Sequence, residues 1–271
     1  TGIRPFQVRL SVEKDPWAHQ TLRLRSFFRQ FERENVPEVY YDVLRQAVTL
    51  DDFPGVFGNT KELQHRWETA NNEALLAELG ASEAGYVEIA RRIREALRES
   101  DGQWILIGGP PCQAYSVVGR ARNKGIADYS FEHDHRSTLY REYLRIIADF
   151  WPAVFVMENV KGLLSATVKN RKVFDQIVSD LQSPRAAFGR GGRTRLSQRY
   201  RIVPLVRTQG SLLPESFLPS DFIVPFEHFG IPQVRHRVIL VGIREDLGEL
   251  DLCPLIPAPA PSVWDAISDL P

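Results

Sequence analysis

A four-residue apolar run, Trp104-Ile105-Leu106-Ile107, stops in Gly108-Gly109-Pro110-Pro111, and Cys112 follows at once. Short unbroken apolar runs bounded by glycine and proline read as strands buried on both faces, the habit of parallel sheets. Proline has no amide to give a ladder, so the chain leaves the sheet as a stiff loop carrying a thiol. Loops at the carboxyl ends of parallel strands are where open α/β sheets keep their ligands. A lone cysteine is by default a small core hydrophobe. Two prolines and the polar Gln113 beside Cys112 argue against burial here.

The rest of the chain alternates strand and helix patterns. Phe6 to Glu13 alternates apolar and polar residues and predicts a strand. Asp15-Pro16 then opens a helix running to about Phe31, with Asp as cap and Pro in the first turn. Ser82 to Arg98 carries Val87, Ile89, Ala90, Ile93 and Leu97 at helical spacing. Arg136 to Phe150 and Asn170 to Leu181 predict helices. Ala153 to Met157, Tyr200 to Val206 and Val238 to Ile243 predict strands. Val36 to Gly80 is irregular, with a loop around Pro54, Gly55 and Gly58 and helix within Lys61 to Leu79. Pro254 to Pro261 reads as an extended connector, and Val263 to Leu270 as a turn or two of helix. Strands alternating with helices predict an α/β chain with a mostly parallel, doubly wound sheet.

Composition narrows the setting. No stretch approaches the roughly eighteen unbroken apolar residues of a membrane span, and the amino terminus lacks a charged-then-apolar leader pattern. Cys112 and Cys253 are the two cysteines, too few for a disulfide framework, so a reducing cytoplasm is the expected home. No Cys/His cluster has zinc spacing, and no metal is expected. Net charge is zero, so any nucleic-acid affinity must come from local patches. Two are visible: the arginines between Arg185 and Arg201, and Arg120, Arg122 and Lys124 after the Cys112 loop. A solvated face is the ordinary meaning of such runs.

Two further segments stand beside the Cys112 loop. The run Ala153 to Met157 ends in Glu158-Asn159-Val160, an acid at a sheet edge that must be paired or keep its proton. Before the last strand stands Phe229-Gly230-Ile231-Pro232-Gln233-Val234-Arg235-His236-Arg237. Its two arginines alternate on an extended segment, so they point the same way and can clamp an anion. A loop acid in solvent and an edge strand kept soluble are the plain alternatives.

In this order, these segments resemble the DNA cytosine-C5 methyltransferases. Pro111, Cys112 and Gln113 are similar to that family's Pro-Cys-Gln nucleophile motif. Glu158, Asn159 and Val160 match its Glu-Asn-Val motif, and Gln233, Arg235 and Arg237 its Gln-x-Arg-x-Arg motif. The resemblance implies a Rossmann-like fold dependent on S-adenosylmethionine, acting as a monomer on duplex DNA in a prokaryotic cytoplasm. It assigns Cys112 as the thiolate adding to C6 of a flipped-out cytosine and Glu158 as the carrier of the proton at N3. Arg237, and with it Arg235, is assigned to the base O2 or a flanking phosphate. Pro111, Gln113, Ser116, Asn159 and Gln233 fall to substrate binding, with the loop from Ala114 to about Ala127 closing over DNA. Glu13 corresponds to the acid that binds the cofactor ribose, with Lys14, Trp17, Pro110 and Leu139 as further cofactor neighbours. Lys14 stands where the family has an apolar residue packing on adenine, and Trp17 is the candidate substitute.

The family's Gly-rich first motif is expected before residue 1, and its target-reading region and last motif after about Leu270. Residues 1–271 therefore read as an incomplete catalytic domain. Restriction-modification is the role that fits by analogy. A tRNA cytosine-C5 methyltransferase with the same motifs remains a competing reading, as does a non-catalytic relative that binds DNA. A thiol hydrolase would want a histidine base, and no motif places His133, His135 or His228 as one.

Overall fold

The computed structural model describes residues 6–58, 60–98, 100, 102–110, 135–168, 171–189, 199–206, 217–248 and 255–268. The chain forms two compact units, Thr1–Asp101 and Gly102–Pro271.

In the first unit, β1 (Ser11–Glu13) leads into α1 (Pro16–Phe28). The predicted cap is present: Asp15 Oδ1 accepts from the Ala18 amide at 2.8 Å, with Pro16 in the first turn. The segment predicted irregular holds α2 (Glu38–Leu44) and α3 (Lys61–Glu73), with β2 (Ala74–Leu76) directly after α3. β1 and β2 pair in parallel, Ser11 opposite Ala74 and Glu13 opposite Leu76. The predicted strand from Phe6 is shortened to these three residues. Ser82 caps α4 (Glu83–Ala96), which buries Tyr86, Ile89, Ala90 and Ile93. Val87 is exposed, because Tyr86 supplies the stripe shared with positions 89, 90 and 93. Phe27, Phe53, Phe57, Trp67 and Ala70 form the core.

The second unit is built on one sheet. β3 (Ile105–Gly108) pairs in parallel with β4 (Val154–Val160), and α5 (His135–Phe150) lies between them in sequence. β5 (Thr167–Val168) and β6 (Arg171–Lys172) make a separate small antiparallel pair. Next come α6 (Val173–Gln182) and the short α7 (Pro184–Ala187). The remaining strands are β7 (Tyr200–Val203), β8 (Ile223–Pro225) and β9 (His236–Arg244). β9 runs antiparallel to β4, β7 and β8. Among the described residues the sheet is thus mixed rather than mostly parallel. Only the strand pairs separated by helices run parallel, since a crossover is needed to bring the chain back in the same direction. The carboxyl-terminal α8 (Val263–Ile267) is capped by Ser262.

Period-two alternation decides which face each strand residue serves. Phe155, Met157, Val238 and Leu240 pack with Tyr143, Leu144 and Ile147 of α5 and Phe174, Ile177 and Leu181 of α6. Ile239, Val241 and Ile243 pack on the opposite face with Val203, Val224, Val154 and Val156. Among the described residues, no helix is long and apolar enough to cross a membrane.

Candidate active site

β4 extends through Val160, so Glu158 lies inside a strand, opposite Ile239, and not beyond a strand end as the apolar run alone predicted. Alternation sends Glu158 to the face of Val154 and Val156, and Asn159 to the face of Phe155 and Met157. The two neighbours therefore do different work.

Asn159 is buried, and its Nδ2 donates to the Pro110 carbonyl at 3.1 Å. Its Oδ1 accepts from the Val160 amide at 2.8 Å. The side chain thus ties β4 to the chain leaving β3, two residues before Cys112. Glu158 sits beside the same segment. The parallel register sets Gly108 opposite Met157, which brings Gly109 alongside Glu158. A Cβ at Gly109 would meet Glu158 Oε2 at 3.2 Å, so glycine makes room for the carboxylate.

Both predicted arginines reach Glu158. Arg237 Nε lies 2.8 Å from Oε1, and Arg235 Nη2 lies 3.8 Å from the same oxygen. Arg237 Nε is buried but not aligned as a hydrogen-bond donor, so the contact is an ion pair. Arg237 Nη1 donates to the His236 carbonyl at 2.9 Å. Two guanidinium groups and one carboxylate, the latter 39% exposed, make a charged cluster open to solvent.

Two residues without a predicted role enter here. One is Gly109. The other is Glu227, in the 3-10 turn Phe226–His228 before β9. Its Oε2 accepts from the Arg235 amide at 3.2 Å, and its Oε1 lies 2.6 Å from His236 Nε2. The Glu227 carboxyl is held below its ordinary range first by its own backbone amide. Desolvation opposes that shift, and hydrogen bonds from His236 and the Arg235 amide add to it. No local pattern marked Glu227, because its partners lie eight and nine residues away.

The remaining predicted residues divide. Pro111, Cys112, Gln113 and Ser116 lie outside the described residues, as does the loop predicted to close over DNA. Gln233 is exposed, and its amide donates to Ile231 O at 2.8 Å. Pro110 is buried, and Leu139 is half-buried on α5. In the first unit, Glu13 ends β1. Its Oε1 accepts from the amides of Lys14 and Asp15 at 2.8 and 2.9 Å. Lys14 Nζ pairs with Glu78 Oε1 at 3.1 Å across the ends of β1 and β2. Trp17 in the first turn of α1 is 75% exposed. An open cleft of about 820 Å³, bordered by Phe6–Leu10, Ser26, Glu73 and Arg92, holds none of the predicted residues. Among the described residues, no group of three or more His, Cys, Asp or Glu side chains could hold a metal.

Residues 86–184, which run from α4 through Glu158 to the start of α7, match the family model for C-5 cytosine-specific DNA methylases. The chain is similar to Type II methyltransferase M.Bpa9945I of Bacillus paralicheniformis, 31% identical over 253 residues, which are 89% of this chain and 50% of that one. It is 39% identical over 160 residues to Type II methyltransferase M.FnuDI of Fusobacterium nucleatum, covering 59% of this chain and 34% of the relative. It is 33% identical over 150 residues to DNA (cytosine-5-)-methyltransferase M.ApeKI of Aeropyrum pernix, covering 53% of this chain and 27% of the relative. The chain thus spans half the length of the first of these proteins, about a third of the second and about a quarter of the third. Glu158 and Asn159 lie inside the segment that matches the C-5 cytosine-specific DNA methylase model.

Proposed function

We propose that this protein transfers a methyl group from S-adenosylmethionine to C5 of a flipped-out cytosine in duplex DNA, through a covalent bond between Cys112 and C6. The observation that carries the reading is the junction of β3 and β4. There Asn159 holds the Pro110 carbonyl, and Gly109 lies against the Glu158 carboxylate, two to three residues before Cys112. The described chain leading toward Cys112 and the Glu158 carboxyl group are thereby held on neighbouring parallel strands. Both units belong to one catalytic domain in this reading.

Cytosine C5 is too electron-poor to attack a methyl donor unaided. Addition of the Cys112 thiolate at C6, with Glu158 managing the proton at N3, turns the ring into an enamine nucleophilic at C5. Arg237 and Arg235 hold Glu158 from one side and offer donors to the base O2 or to phosphate. Removal of the C5 proton and departure of Cys112 then restore the aromatic ring. Flipping the base out costs a few kcal/mol, offset by pocket contacts.

The carboxyl end of β1 suits the cofactor. Glu13 is fixed there by two backbone amides, the place where an acid binds ribose hydroxyls in dinucleotide folds. The exposed Trp17 ring offers an apolar face for adenine, whereas Lys14 is engaged with Glu78. When bound, S-adenosylmethionine supplies the electrophilic methyl group.

Duplex oligonucleotides containing 5-fluorocytosine test the reading, because fluorine at C5 blocks the elimination and traps the adduct. Full-length wild type with cofactor is expected to form a covalent adduct, and Cys112→Ala none. An adduct that persists without the sulfur refutes the nucleophile. Methylation of tRNA in place of duplex DNA refutes the substrate.

A further inference from the structure

We infer that Glu227 is a positioning residue for the two arginines: its carboxylate completes the β8–β9 ladder where the backbone cannot. The inference rests on the methyl-transfer reading, which gives Arg235 and Arg237 their roles.

The register pairs Ile223 with Val238, Val224 with Arg237 and Pro225 with His236, so the next rung joins Phe226 to Arg235. That rung is half made. The Phe226 amide donates to Arg235 O at 3.1 Å. The reciprocal bond, from the Arg235 amide to Phe226 O, is missing, because the chain has turned. Phe226 O instead accepts from the Phe229 and Ile231 amides at 3.0 and 3.4 Å. The Arg235 amide goes to Glu227 Oε2 at 3.2 Å. The other oxygen of Glu227 holds the His236 ring at 2.6 Å. One carboxylate thus restrains the backbone of Arg235 and the side chain of the residue between the two arginines.

The placement has consequences for Glu158. Arg235 stands one residue outside β9, where a strand end frays unless its polar groups are held. Arg237 stands two residues further in and makes the 2.8 Å contact with Glu158. Without Glu227, the Arg235 amide turns to water and the entry to β9 loosens. The guanidinium groups then drift from the carboxylate they face. Misplacement of a positioning group by about 1 Å can slow a reaction about a hundredfold.

The test is the single-turnover rate of adduct formation on 5-fluorocytosine duplex by full-length protein, normalised to trapped active sites. Glu227→Ala is expected to slow the step about tenfold while duplex Kd stays within about twofold. Glu227→Gln keeps an oxygen for the Arg235 amide and is expected to recover most of the rate. His236→Phe removes only the ring contact and is expected to slow the step about threefold. This variant serves as the reading if Glu227→Ala fails to fold. A purely structural role would lower yield or Tm and leave the normalised rate unchanged, and that result overturns the inference. So does a Gln variant as slow as the Ala variant, or a His236→Phe variant as fast as wild type. A wild type that forms no adduct overturns the methyl-transfer reading, and the inference with it. A reactive wild type matched by Glu227→Ala overturns the role of Glu227 alone.

Discussion

Asn159 reaches across from β4 to the Pro110 carbonyl, 3.1 Å away, and fixes the backbone two residues before Cys112. The amide serves both partners at once, since its oxygen takes the Val160 amide. Asn159→Asp keeps the second bond but sets a carboxylate against a buried carbonyl. It is expected to destabilise by about 3 kcal/mol, more than Asn159→Ser, because an unpaired buried charge costs more than a lost hydrogen bond. Urea denaturation of the three proteins checks the order.

Gly109 gives a different signature. A methyl group there would sit 3.2 Å from Glu158 Oε2, and Arg237 holds the other carboxylate oxygen. The carboxyl group is half exposed and can swing aside, so Gly109→Ala is expected to leave Tm nearly unchanged. Displacement of Glu158 by a few tenths of an ångström is expected to slow adduct formation about tenfold. A variant that loses stability and keeps its rate contradicts this placement.

Gly242 is the opposite case. It lies across from Phe155 in the β4–β9 ladder, and an added Cβ would fall 2.1 Å from the buried ring. Neither strand can retreat, since both are interior to the sheet. Gly242→Ala is expected to cost about 3 kcal/mol, the upper range for overpacking a well-filled core. A matching drop in the urea midpoint, at unchanged m-value, is the check.

Asp180 supplies a pH dependence. Burial raises its carboxyl above the ordinary range, against hydrogen bonds from Gln176 and Tyr140 and the charge of Arg141. A raised acid in the folded state lowers stability as pH climbs from the unfolded value through the folded one. Asp180→Asn keeps an acceptor for Gln176, while the Tyr140 hydroxyl retains Ile177 O at 3.5 Å. The variant is expected to melt above wild type at neutral pH, with the gap closing below the ordinary carboxylate range. Thermal melts across that pH range decide it.

Several elements were legible in the chain because their causes are local. Asp15-Pro16 and Ser82 start α1 and α4 through side chains that reach amides three residues on. The apolar runs before Gly108 and Glu158 are strands, but the first is not buried on both faces as its pattern predicted: among the described residues β3 ends the sheet order, with Ile105 39% and Ile107 76% exposed. The alternate arginines share a face, as period two requires, and that face carries Glu158.

What stayed illegible depends on partners distant in sequence. β2 is three residues directly after a helix, with no pattern of its own; only β1, more than sixty residues away, makes it a strand. Phe6 to Leu10 alternates like a strand and is none, because alternation records a face and not a ladder partner. The mixed sheet arises from β9 pairing antiparallel with three strands, a matter of topology that alternation cannot encode. Sequence by itself determined the kinds of residue at the site, their order and the family resemblance, since motifs and periods are written in neighbouring positions. Tertiary structure alone decided that Asn159 grips Pro110, that Gly109 yields room to Glu158 and that Glu227 stands in for a missing rung. Those relationships are distances between separate segments, and distance across a fold is set by packing.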